Sequence, residues 1–219
     1  LDCSALFTDI KAYGFDDLAN SVLFTHLNYA YQDINTIEAW PYLEKKSTGN
    51  FAATAAQFTA ITDIKQIISL VSVAQGYPLT PMRSDVFYKD YVNSLTLTGN
   101  PVIYHTPTVN ATAPNGLAVE VWPIPPVSAY QLRYIYIPAT LTLTTDIPVL
   151  PERFHRILTY GTLLSLYQME DDMEASARIQ QLYDRQLMRM REDLWTQNFD
   201  RNDSIADVSG LDNWEGSWY

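Results

Sequence analysis

The chain changes character over Tyr134-Ile-Tyr-Ile-Pro-Ala-Thr-Leu-Thr-Leu143 and then Asp146-Ile-Pro-Val-Leu-Pro-Glu-Arg-Phe-His155. Before Pro138, aromatic and β-branched residues alternate as in a strand. Pro148 and Pro151 then end any sheet, because neither has a backbone N–H to give to a ladder. Pro151 falls where a helix accepts it, at the first helical position, and Glu152 places a negative charge at the positive end of the helix dipole. A strand is handed directly to a helix.

Downstream, Ile179, Leu182, Tyr183, Leu187, Met190 and Leu194 make one apolar stripe, and Arg178, Asp184, Arg185, Arg189, Arg191 and Glu192 fall off it. From Phe154 to Met169 the apolar residues cover most of the cylinder, which predicts burial on more than one side. Unbroken, residues 151–196 would span roughly 70 Å at ~1.5 Å per residue. A compact domain of this length is only about 45 Å across. The spacing therefore predicts a break near Glu170–Glu174, or a projecting helix.

Upstream, Asp16 is the expected cap of a helix with the stripe Leu23, Leu27, Ala30, Ile34 and Ile37, ending by Trp40 because Pro41 pushes its predecessor out of helical geometry. Residues 1–15 yield at most a helical turn near Asp9. Glu44–Asn50 reads as a polar turn. Phe51–Phe58, Ile64–Val73, Val102–Thr106, Leu117–Trp122 and Gln131–Ile137 read as strands, with a hairpin signal at Asn115-Gly116 and a helix over Ser84–Leu95 capped by Ser84. The expectation is an α+β fold: N- and C-terminal helices packed as a bundle, with an inserted antiparallel β-domain and an extended C-terminal tail. Its segments are 1–43 (helical), 44–145 (β-rich, with the short helix near 84–95), 146–197 (long helices packing on the N-terminal helix) and 198–219 (tail).

Net charge is −11 over 219 residues, which does not favour wrapping nucleic acid. Cys3 is the sole cysteine and excludes an intrachain disulfide. No apolar run approaches the ~18 residues of a membrane helix, and no charged-then-apolar leader opens the sequence. Glycine-rich phosphate loops, nucleophile elbows and paired cysteines are absent. Glu152-x-x-His155 fits half of a di-iron motif but has no second copy. Asp200–Ser204 begins like a calcium loop, yet Ile205 stands where glycine is needed. No catalytic residue, metal or cofactor is expected, and the chain does not read as an enzyme.

The tail, 198–219, carries five acids against Arg201 and ends Asp-Asn-Trp-Glu-Gly-Ser-Trp-Tyr. Leu211, Trp214, Trp218 and Tyr219 are unusual in a solvated tail and read as docking anchors. Tyr160, Leu163 and Tyr167 on the over-apolar half-helix, with Arg185 and Arg189 beyond it, are the candidates for contact between copies.

Several fragments together resemble the head–tail adaptor (connector) proteins of tailed bacteriophages. They are Leu27-Asn-Tyr-Ala30 with Trp40-Pro-Tyr-Leu43; Gln75-Gly-Tyr-Pro-Leu-Thr-Pro81; Gly99-Asn-Pro-Val-Ile-Tyr104 with Trp122-Pro-Ile-Pro-Pro126; and Tyr134–Pro138 through Asp146–His155. Their order and spacing run from about residue 18 to 195. The resemblance implies a structural virion protein of the neck, assembled in the host cytoplasm as a ring, commonly of twelve copies. Its implied partners are the portal protein, a stopper or tail protein, copies of itself, and genomic DNA passing through without sequence-specific contact; no membrane is implied. A tail-completion or stopper protein, or a carbohydrate-binding module built on a Tyr/Trp-rich sheet, is the alternative.

Overall fold

A computed structural model describes residues 1–51, 57–58, 63–91, 96–106 and 119–206. The chain divides into two compact units, residues 1–34 with 140–219 and residues 35–139. The fold is α+β, helices flanking an insertion of β-structure.

In the first unit, α1 (Cys3–Ile10) begins where the Asp2 carboxylate accepts from Ala5 N at 2.9 Å, an N-cap that satisfies one orphan donor. Cys3, Leu6, Phe7 and Ile10 form its buried face. Burial, then the nearby Asp146 and Asp2 carboxylates, push the Cys3 thiol up to about 11. A π-helical turn, Lys11–Phe15, follows and is broken by Gly14 at φ +102. Helix α2 (Asn20–Ile37) starts three residues later than a cap at Asp16 predicts. Asp16 does not cap it, because Asp16 is itself helical and closes the preceding π turn. The other end lies where Pro41 requires, with Trp40 extended at φ −60, ψ 138.

The second half of this unit is a helical hairpin. Helix α4 (Arg156–Met169) ends at Glu170, Asp171 turns the chain through φ +57, and α5 (Met173–Ala206) begins beyond Asp172, whose carboxylate accepts from Ala175 N at 3.0 Å. The predicted break is therefore a left-handed turn. Helix α5 runs to Ala206, well into the stretch expected to be a tail.

Gly161 sets how closely the helices approach. A Cβ placed there would lie 2.8 Å from Ala30 Cβ on α2 and 3.3 Å from the Tyr183 ring on α5. One turn along the same contact, His26 of α2 and Ser165 of α4 share a 2.8 Å hydrogen bond, and burial holds the His26 imidazole below its ordinary pKa. Leu23, Leu27, Ile34, Leu158, Leu163 and Leu166 have essentially no exposed surface.

Among the described residues the second unit holds two four-stranded sheets, where the sequence predicts one antiparallel sheet. In the first the order is β1 (Glu44–Phe51), β8 (Ser128–Tyr136), β3 (Ile64–Ser72), β4 (Tyr77–Pro78), all antiparallel. The second runs β2 (Gln57–Phe58), β7 (Val119–Trp122), β6 (Ile103–His105), β5 (Thr80–Pro81), and its β5–β6 pair is parallel. Glu44–Asn50, expected as a turn, is most of β1. It is an exposed edge strand whose register comes from β8, so no apolar alternation marks it. Gly49 leaves room for the Tyr130 ring opposite, whose hydroxyl would sit 2.6 Å from any Cβ. The helix near 84–95 is α3 (Ser84–Tyr91) among the described residues, and the Asn115-Gly116 hairpin lies outside them.

Lys65 of β3 finishes the last turn of α2. Its Nζ donates to the carbonyls of Asn35 (3.1 Å), Thr36 (2.9 Å) and Glu38 (2.9 Å), three acceptors the helix cannot satisfy itself.

The Gly161 contact makes a prediction against the usual trend for helical glycines. Gly161→Ala gains about 1 kcal/mol of helix propensity, but its methyl group meets a backbone-fixed Cβ, and overpacking of this kind costs ~1–3 kcal/mol. We expect a net loss of stability in urea denaturation, partly restored by adding Ala30→Gly. An alanine variant more stable than the parent would mean that the helices part without cost.

Candidate docking surfaces

The five candidates for contact between copies occupy very different positions. Leu163 is wholly buried and Tyr160 nearly so, both in the core of their own helical unit. Neither leaves appreciable surface for a neighbour, because the all-round apolar character of α4 is consumed by α1, α2 and α5. Tyr167 is half-buried. Its ring meets Phe15 edge-on at 5.0 Å and its hydroxyl donates to Tyr13 O at 3.2 Å, fastening the π turn to α4. Burial, then the Asp172 and Glu170 carboxylates, raise its pKa.

Arg185 and Arg189 differ from these. They lie one turn apart on the outer face of α5, both exposed. With Gln181, Asp184, Met188 and Glu192 they line a shallow groove of about 520 Å³. The opposite face of α5 buries Ile179, Leu187, Met190 and Leu194, so the two stripes of the sequence map onto two sides of the helix. Leu211, Trp214, Trp218 and Tyr219 lie outside the described residues.

A further surface escapes the sequence reading. Residues 140–151 form no regular element, yet their backbone is tied at many points. The Asn28 side chain accepts from Leu141 N and donates to Leu141 O, both at 2.8 Å. Asp146 Oδ2 accepts from Thr142 N at 2.7 Å and Leu143 N at 2.8 Å. The first turn of α1 donates into the same loop, Cys3 N to Asp146 O at 3.0 Å and Ser4 N to Thr144 O at 2.9 Å. Tyr31 Oη accepts from Val149 N at 3.2 Å, and His155 Nε2 donates to Leu150 O at 2.8 Å. His155, considered above as half a metal motif, is thus a buried structural group at the head of α4.

This fixed loop holds large apolar side chains in water: Leu143 is 62% exposed and Ile147 68%. Scattered single exposures are ordinary, but a loop fastened from both sides that displays apolar residues is a surface shaped for contact. The sequence signal was Asp146, a carboxylate that accepts from the backbone N–H groups three and four residues before it.

In the sheet unit, Ser84, His105 and Glu120 stand in line: Ser84 Oγ lies 3.2 Å from His105 Nδ1, and His105 Nε2 lies 2.8 Å from Glu120 Oε2. The arrangement has the composition of a hydrolytic triad, but its surroundings serve another purpose. The His105 ring is sealed, tilted against Phe87 at 3.8 Å between centroids with Tyr88 edge-on to it, and the Ser84 hydroxyl has a second partner in Thr106 O at 3.1 Å. Tyr88 Oη also donates to Glu120, at 3.1 Å. The network pins α3 to the β6–β7 ladder, and Ser84 spends its hydroxyl there instead of capping the helix. Among the described residues no group of three or more His, Cys, Asp or Glu is placed to hold a metal ion. No described helix is long and apolar enough to cross a membrane.

The loop gives a pH prediction. Backbone N–H groups of Leu143 and Thr142 hold the Asp146 carboxyl below the ordinary carboxylate range. A lowered folded-state pKa contributes stability above the unfolded value of about 4 and loses it as pH falls through the folded value. We expect Asp146→Asn to be less stable than the parent at neutral pH, with the difference shrinking in denaturant titrations taken below about pH 4. A gap that persists unchanged to the lowest pH would show that the carboxylate charge is not what holds the loop.

No curated protein matches the chain. The family model described as SU10 adaptor protein matches residues 2–208, a span that takes in the α1–α2 segment, the β-insertion and the α4–α5 hairpin. The chain thus belongs to the SU10 adaptor family of phage head–tail adaptor proteins.

Proposed function

We propose that the protein is a ring-forming head–tail adaptor, in about twelve copies as the resemblance implies, seated between the portal and the stopper or tail. The observation that carries the reading is the family match over nearly the whole chain. A structural adaptor role follows from the family; the ring, its partners and the channel are the proposal. The fixed loop 140–151, with Leu143 and Ile147 in solvent, supports it, because a neck component needs preformed surfaces that order little on assembly. Copies meet through the Arg185–Arg189 face of α5 and the exposed edge of Tyr167. The anchors Leu211, Trp214, Trp218 and Tyr219 dock the C-terminal segment on the portal. The net charge of −11 suits a wall past which DNA slides without adhering. Assembly takes place in the host cytoplasm and the product is a part of the virion.

The test is sedimentation and electron microscopy of the purified chain with and without the cognate portal ring, beside a chain ending at Ala206. We expect rings stacked on the portal, weakened at least about tenfold in affinity by the truncation if the aromatic anchors act as interface hot spots of ~2 kcal/mol or more. Failure of the full chain to associate with the portal would remove the reading, and a sugar-dependent change in tryptophan fluorescence would replace it with the carbohydrate-binding one.

A further inference from the structure

The turn between α4 and α5 and the π turn packed against it form one end of the helical unit. Tyr167 joins them, with its ring on Phe15 and its hydroxyl on Tyr13 O. Three large apolar side chains stand in water around this junction: Tyr13 is 46% exposed, Met169 54% and Met173 74%. Met169 closes α4 and Met173 opens α5, so the left-handed turn at Asp171 keeps both on one tip. Exposed apolar groups gathered at one place mark contact sites, and methionine adapts its shape to what it meets there.

The charge around this patch has one sign. Glu170, Asp171, Asp172 and Glu174 alternate with the two methionines along the tip, and Asp16 and Asp17 follow Phe15 on the π turn, all six acids exposed. Burial, then the Asp172 and Glu170 carboxylates and Tyr13, raise the Tyr167 pKa, so these groups share one neighbourhood. The two bases nearby are already held, Lys11 by the Asn20 side chain at 3.4 Å and Arg178 by Glu174.

The composition narrows the occupant. Among the described residues no three carboxylates are grouped to hold a metal ion, and like charge repels the phosphates of nucleic acid. A second copy of the chain complements the tip poorly, because its own basic groups come mixed with acids. Among the described residues Arg83 pairs with Asp85, Arg133 with Glu44 and Arg153 with Asp193, while Arg185 and Arg189 share their groove with Asp184 and Glu192. Apolar side chains ringed by carboxylates are matched by a segment of another protein that carries Lys or Arg beside apolar residues.

We propose that this acidic end of the helical unit is a docking site for a basic amphipathic segment of another protein. Tyr13, Met169 and Met173 take its apolar side chains, and the surrounding carboxylates take its cations. The proposal deepens the proposed function and rests on it for the partner's identity alone: the stopper or tail protein, since the portal is assigned to the C-terminal anchors.

Methionine-methyl NMR of the full chain tests it, because the five methionines report on separate places and Met169 and Met173 are the two at this tip. The probe is a short amphipathic peptide of Leu and Lys, used beside one of Leu and Glu. We expect the Lys peptide to shift the Met169 and Met173 signals saturably and to leave Met188 in place, and the Glu peptide to shift none. Affinity should fall as salt rises. It should also fall at least about tenfold in Glu170→Gln/Asp171→Asn/Asp172→Asn and in Met169→Gln/Met173→Gln. Asparagine suits both the positive-φ turn and the cap of α5, so the first variant keeps its fold. No shift at the two tip signals, equal shifts at all five, or undiminished affinity in both variants would overturn the proposal. Tip signals that move with protein concentration alone would overturn it too, by giving the surface to a second copy. The cognate stopper or tail protein should move the same two signals, and peptide binding without that response would overturn the assignment to this partner. None of these readings uses the portal, so failure of portal capture remains a separate result.

Discussion

Gly161 allows α4 to approach α2 until nothing but the Ala30 methyl group separates them, while Tyr183 of α5 closes over the same point. Three helices drawn from distant parts of the sequence meet at one residue without a side chain. Dispersion falls steeply with separation, so this approach lets the leucines on either side interdigitate at the density of a protein interior. The half-buried His26–Ser165 bond then fixes the rotation of α2 on α4, because polar groups partly withdrawn from water are costly to leave unpaired. The rest of the helical unit is arranged around that contact. The α4–α5 turn at Asp171 determines which side of α5 faces inward, and the Arg185–Arg189 stripe faces outward as a result.

Much of this was legible in the sequence because it depends on periodicity and on residues with fixed backbone demands. The two-sided α4, the one-sided α5, the break between them and the end of α2 before Pro41 were all read from local pattern. Helix α1 was legible in principle: Cys3, Leu6, Phe7 and Ile10 keep helical spacing behind Asp2. It was obscured by Gly14 and the acids that follow, which mark a boundary without saying what precedes it. The start of α2 departs from the expected cap for a related reason. Asp16 has the chemistry of a cap, but the π turn had already claimed its backbone.

Strand β1 was hidden for a deeper reason. Glu44–Asn50 has no apolar alternation, and its extended form comes from pairing with β8, about eighty to ninety residues away. Such tertiary overrides leave no local trace. The candidate surface divides in the same way. Arg185 and Arg189 follow from the helical stripe. Leu163 and Tyr160 look alike in sequence whether a neighbour or the chain's own core covers them, and the core does. The loop 140–151 owes its rigidity to Asn28, Tyr31 and α1, none of which is near it in sequence.

The Asn28–Leu141 bonds have a kinetic side as well. They join residues 113 apart, and the segment between them contains the whole sheet unit. Closing a loop of that length costs about 4 kcal/mol of chain entropy beyond the constant term. The cost falls on the helical unit, whose two halves have no covalent neighbour other than the insertion. Contacts so distant in sequence are slow to find, and a chain whose sheets have formed is shorter to close than one whose sheets have not. The order of events during synthesis then favours a protein that acquires its helical core late, after the insertion has drawn the ends of that loop together.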